Sequence, residues 1–287
     1  MTALLEPWTH GFMLQALAVG LMVATLAAIL SCFVVLKGWS LMGDAVSHAI
    51  LPGVVGAYWL GLPLVLGAFA AGLGCAIASG AIRATSRVKE DAAMGVVFSG
   101  MFAVGLIMLT QLRSNVHLSH VLFGSILGIE AEDFWQTLGI STAALLILAV
   151  RGRDLVMYCF DPGQARIVGL NVGRLRLLLL TVLAASIVAG VQAVGVILVV
   201  ALLITPGAIG LLLTDRFRHM LLVSVGAACL ATVAGIQASF MLDASTAGSI
   251  VLALTLLFLL ALAFSPRHGL LRRRATAAQR GRATTAA

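Results

Sequence analysis

LLLLTVLAASIVAGVQAVGVILVVALLITPGAIGLLL, residues 177–213, contains no charged side chain and is too long for one membrane span of ~20 residues. It reads as two spans, 177–194 and 195–213, divided around Val191–Gly195. Working outward, further apolar runs give spans at 12–36, 41–60, 62–82, 92–111, 134–150, 219–241 and 247–265. Nine spans of ~20 residues need roughly 180 positions, which matches a chain of 287 residues that is 61% hydrophobic. The expected fold is all-α and polytopic, with about nine transmembrane helices. Pro52-Gly53 and Pro206-Gly207 fall inside two of these spans and predict broken helices, which membranes tolerate where backbone lines a cavity.

Only 10% of the residues are charged, against ~25% in soluble domains, and the mean hydropathy is +1.10. These values exclude a soluble enzyme, a disordered chain and a nucleic-acid-binding domain. The net charge of +7 is unevenly placed. With the C-terminus in the cytoplasm, segments 37–40, 83–91, 151–176, 214–218 and the tail from Arg267 share one side. They hold every one of the 18 basic residues except Arg113, as the positive-inside rule requires. The opposite loops carry Glu130, Glu132, Asp133 and Asp243. Trp39, Trp59 and Trp135 fall near span ends, where aromatic belts form. Residues 1–266 thus form one membrane domain, and 267–287 a basic, disordered tail able to touch anionic lipid. Cys32, Cys75, Cys159 and Cys229 lack metal-binding spacing and read as small hydrophobes.

Chemistry inside the spans is confined to a few positions. Asp44 and His48 stand four residues apart, so a helix places both on one face, one turn apart. A carboxylate and an imidazole together suit Mn, Fe or Zn, and an Asp within a span is costly enough to need a purpose. The other reading is an Asp–His hydrogen bond that fixes helix packing. His117 and His120, on the external side, are candidates for capturing metal on its way in, as is Asp243, but a polar external loop is the simpler explanation of all three. Neither Lys37 nor Lys89 ends a phosphate loop, so ATP-driven work needs a separate subunit. In segment 151–176, Asp161-Pro162-Gly163-Gln164 reads as an N-cap, a first-turn proline and a capping-box glutamine. Gly169 or Gly173 would stop the short helix. With Arg166 on its surface, such a helix suits docking to a partner or lying on lipid.

At these residues the chain resembles the permease subunits of cluster-type metal ABC importers for manganese, iron and zinc. The likeness is carried by Lys37-Gly-Trp-Ser-Leu-Met-Gly-Asp44-Ala-Val-Ser-His48-Ala-Ile-Leu-Pro52-Gly53-Val, by Phe160-Asp-Pro-Gly-Gln-Ala-Arg-Ile-Val-Gly-Leu, and by the stretch from Val194 through Thr205-Pro206-Gly207 to Asp215-Arg216. Met241-Leu-Asp243 with Thr246 and Gly248 fits the last external turn. The wording is most similar to the manganese and chelated-iron branch. The resemblance implies a bacterial inner-membrane importer of two permeases and two ATPases, fed by an external solute-binding protein. The second permease is a copy or a paralogue, and no cofactor is permanently bound. It also implies metal ligation by Asp44 and His48. Two alternatives stay open on the residues alone: an ion-coupled secondary transporter with Asp44 as proton carrier, and an ABC permease for a siderophore or cobalamin. An intramembrane hydrolase has no motif here.

Overall fold

The computed structural model describes residues 11–111 and 131–265. His117, His120, Glu130 and the 267–287 tail lie outside them. Among the described residues there are ten helices and no strand: α1 (Gly11–Lys37), α2 (Met42–Leu60), α3 (Leu64–Thr85), α4 (Glu90–Thr110), α5 (Ala131–Phe160), α6 (Pro162–Ile167), α7 (Val172–Val194), α8 (Val196–Leu213), α9 (Phe217–Leu242) and α10 (Thr246–Phe264). Seven of them (α1, α3, α4, α7, α8, α9 and α10) are long and apolar enough to cross a membrane, against the nine expected. The other two long helices are more polar. In 19 residues α2 carries Asp44, Ser47 and His48, and α5 is charged near both ends, at Glu132, Asp133, Arg151, Arg153 and Asp154.

Of the seven, α1 and α7 are the most enclosed, whereas α4 and α10, also strongly apolar, leave most of their surface outside the bundle, as spans that face lipid do. Around α1 pack α5, α8 and α9, while α2, α3 and α4 form a second cluster joined to the first through α7 and α8. The uncharged stretch does divide in two. Gly195 sits at φ 88°, ψ 160°, a conformation essentially confined to glycine, and the chain folds back there. Gly190 on α7 then lies against Val199 on α8.

Three expectations are corrected. First, α2 and α8 run unbroken through Pro52 and Pro206. In α8 the neighbours serve the disturbed ladder: Ser31 Oγ accepts from the Gly207 N–H (2.8 Å) and donates to the Ile204 carbonyl (3.2 Å). Ser224 Oγ donates to the Pro206 carbonyl (2.8 Å). Side chains from α1 and α9 thus hold the backbone on either side of Pro206, while the carbonyl that this proline deprives of its helical donor is that of Leu202. Second, α5 does not stop at residue 150 but continues to Phe160. Leu155, Tyr158 and Cys159 are buried against the body, and Arg151 pairs with Asp154 at 3.2 Å along the helix. Third, Trp39 is 2% exposed and is a core residue rather than an interfacial one. Trp59 and Trp135 are exposed.

Candidate metal site

The turn before α2 fixes where the site begins. Gly38, at φ 69°, closes α1 with the Gly38 N–H on the Val35 carbonyl and the Trp39 N–H on the Val34 carbonyl, a Schellman ending. Lys37 Nζ donates to the Tyr158 carbonyl (2.9 Å) and stands 3.7 Å over the tyrosine ring, tying the turn to α5. Trp39, Met42 and Gly43 are buried, whereas Gly38, Ser40 and Leu41 of the same turn are exposed.

Asp44 occupies the first turn of α2, where the helix dipole favours a carboxylate. His48 lies one turn on, with Nε2 at 3.4 Å from Asp44 Oδ1. Two atoms each ~2.1 Å from a metal are about 3.0 Å apart at a right angle and about 3.4 Å apart at a tetrahedral one. The observed separation is therefore loose for a hydrogen bond and suited to a shared cation. Two rings of α4 orient the imidazole: Phe98 stacks on it (6.1 Å between centroids) and Phe102 meets it edge-on (5.5 Å). Both polar side chains are half-open, 42% exposed for Asp44 and 39% for His48. Pro52 and Gly56 continue the same partly open stripe at four-residue spacing, while Ala45, Val46, Ala49 and Ile50 are buried. Proline at 52 also leaves the His48 carbonyl without its usual helical donor. The spacing of residues 48 and 52 carries that signal in the sequence.

Close packing holds the rest of α2 in place. An ideal Cβ at Gly53 would fall on the Gly67 carbonyl oxygen of α3, and one at Gly67 on the Gly53 carbonyl oxygen. Only glycine at both positions allows this approach. The buried side of Gly43 faces Leu203 of α8.

The other sequence candidates are dispersed. Among the described residues no group of three His, Cys, Asp or Glu gathers to hold a metal. Asp243 caps α9 in the left-handed region (φ 49°), which Asp tolerates, and its N–H donates to the Ser239 carbonyl. Asp161 is the N-cap of α6, its Oδ1 accepting from the Gly163 N–H (2.8 Å) and the Gln164 N–H (3.0 Å). The Asp161 N–H itself donates to the Met157 carbonyl, so the expected return bond from the Gln164 side chain has no donor to meet. Gly169, at φ 87°, ends the helix in a Schellman turn with Leu170 bonded to Ala165, which decides between the two candidate glycines. Asn171 caps α7 by accepting from the Arg174 N–H. The expected loop 151–176 thus contracts to a six-residue helix, capped at both ends, between two long ones.

A bundle of apolar helices with one carboxylate–imidazole pair on a half-open face defines a membrane protein of the transport class. The chain belongs to the ABC 3 transport family, whose model matches residues 9–265. It is 47% identical over 268 residues to the manganese transport system membrane protein MntB of Synechocystis, covering 93% of this chain and 88% of that one. It is 48% identical over 260 residues to the chelated iron transport system membrane protein YfeD of Yersinia pestis, covering 91% and 88%. The solved structure of PsaBC from Streptococcus pneumoniae in complex with Fab superposes with a TM-score of 0.82 at 34% identity, over 92% of this chain and 96% of that one.

Proposed function

We propose that this chain is the membrane-spanning permease subunit of an ABC importer that carries a divalent transition metal into the cytoplasm. Manganese and iron are favoured by the relatives' names, and zinc shares the same donor chemistry. The observation that carries the reading is the Asp44–His48 pair on the half-open stripe of α2. One chain supplies two ligands, whereas these metals take four or more. A second permease, a copy or a paralogue, facing the same stripe would supply the others. In this reading α2 and α5 also cross the membrane, giving nine spans. The ends that carry Lys37, Arg153, Arg166 and Arg216 face the cytoplasm, as does the C-terminus.

The chain has no phosphate loop, so the work comes from a separate ATPase, and an external solute-binding protein delivers the metal. Helix α6 is the contact best built to receive that work. Fixed at Asp161 and at Gly169, it can transmit a push without melting. Vesicles holding the permease with its ATPase test the function: uptake of Mn²⁺ should require ATP. Uptake that follows a proton gradient and persists with an inactive ATPase would instead establish secondary transport.

A further inference from the structure

A second feature of the bundle lies away from Asp44 and His48. Helices α1, α5 and α9 enclose a cleft of about 1270 Å³. On α1 it runs from Thr25 to Phe33, on α5 from Leu145 to Arg153 and Val156, and on α9 from Phe217 to Val225. The α1 and α9 stretches span nine residues, roughly 12 Å of helix, and the α5 stretch twelve, roughly 17 Å, close to the ~15 Å hydrocarbon depth of one leaflet. The deep part is apolar, with Ile29, Leu145, Leu148, Leu222 and Val225. The mouth is basic: Arg153, Arg216, Arg218 and His219 line it, all exposed, and no carboxylate appears among its described lining residues. Asp154, the acid nearest in sequence to Arg153, is paired with Arg151. Arg216 is also the N-cap of α9 and makes no side-chain cap bond, so the first N–H groups of that helix remain suited to an anion.

We infer that this cleft is a binding site for one anionic phospholipid of the leaflet at the basic end. The phosphate meets the three guanidinium groups and the start of α9, and an acyl chain lies between α1, α5 and α9. Arginine forks match phosphate oxygens, and basic pockets between transmembrane helices select anionic head groups. A water-soluble acidic partner would explain the rim but not an apolar slot that reaches a leaflet's depth. The site is independent of whether the chain carries metal.

The test is native mass spectrometry of the full-length chain, purified in detergent and offered phosphatidylglycerol and phosphatidylcholine in equal amounts. The wild type should retain phosphatidylglycerol preferentially. Replacing Arg153, Arg216 and Arg218 together by Gln should weaken that retention on the order of 100-fold, while replacing all three by Lys should weaken it less, because the charge is kept and only the forks are lost. Ala149→Trp fills the apolar slot and leaves the charges, and should lower retention as well. If the triple Gln variant fails to fold, Arg218→Gln and Ala149→Trp carry the test. Equal retention of the two lipids by the wild type would overturn the inference. So would unchanged binding in Ala149→Trp, displacement by an equal concentration of inorganic phosphate, or loss of the lipid whenever the chain dimerises.

Discussion

Replacing Gly53 by Ala should drive α2 and α3 apart. The new methyl would land on the Gly67 carbonyl oxygen and within 2.6 Å of the Ala71 Cβ, where ordinary contact begins at 3.4 Å. The first obstacle is backbone, which cannot rotate away as a side-chain tip can. The helices must therefore part by roughly 1 Å, a gap that forfeits a quarter to a half of the dispersion well along the seam. Overpacking of this kind costs about 1–3 kcal/mol, and a backbone collision belongs at the upper end. The better helix propensity of alanine returns up to about 1 kcal/mol, which leaves a net loss of roughly 2 kcal/mol. Equilibrium unfolding in mixed micelles reads the difference. Gly67→Ala should behave alike, and the double variant should lose less than the two singles added, because both methyls need the same separation. Gly74→Ala on α3 is the control: nothing lies within 4 Å of its Cβ, so it should be neutral or stabilising. A Gly53→Ala protein as stable as Gly74→Ala, or strictly additive losses in the double variant, would refute the close approach of α2 and α3.

Three further outcomes follow from other parts of the structure. Asp161→Ala removes the acceptor for two N–H groups of α6 and should cost about 0.5–2 kcal/mol locally; ATP hydrolysis and metal uptake should then uncouple, and Gly169→Pro, which forbids the observed φ of 87°, should do so more strongly. Normal transport by both variants would move the coupling contact to residues 214–218. Ser31→Ala and Ser224→Ala each remove a clamp on α8 around Pro206 and should each lower stability by about 0.5–1.5 kcal/mol in the same unfolding assay, an outcome contradicted if both match wild type. In a background without the native cysteines, Arg166→Cys should label only from the cytoplasmic side and Glu132→Cys only from outside; the reverse pattern would invert the proposed orientation.

Much of the architecture was readable because lipid imposes simple rules. The uncharged 177–213 stretch had to fold back, and Gly195 was the residue able to make the turn. The Asp161 cap and the Gly169 stop were legible because capping is a local matter of side chain and φ. What escaped depended on neighbours. Pro206 predicts a break unless neighbours hold the backbone around it, and Ser31 and Ser224, which do so, arrive from distant parts of the chain. Arg151 and Asp154 looked like a loop because charges end a span, yet the pair lies along a helix whose other face stays buried. Trp39 carried the composition of an interface and the position of a core residue. At the site, the spacing of Asp44 and His48 gave their shared face, but not the phenyl rings of Phe98 and Phe102 that aim the imidazole.

The claim that Asp44 and His48 are metal ligands is tested most directly by binding rather than transport. Mn²⁺ titrated into the purified permease can be followed by the loss of the free-ion paramagnetic resonance signal. Wild type should bind one ion per pair of chains, and Asp44→Asn and His48→Ala should each abolish that binding while the unfolding transition is retained. Wild-type binding by either variant would contradict the metal site. Loss of the folded protein in both would instead make the pair a packing bond of α2.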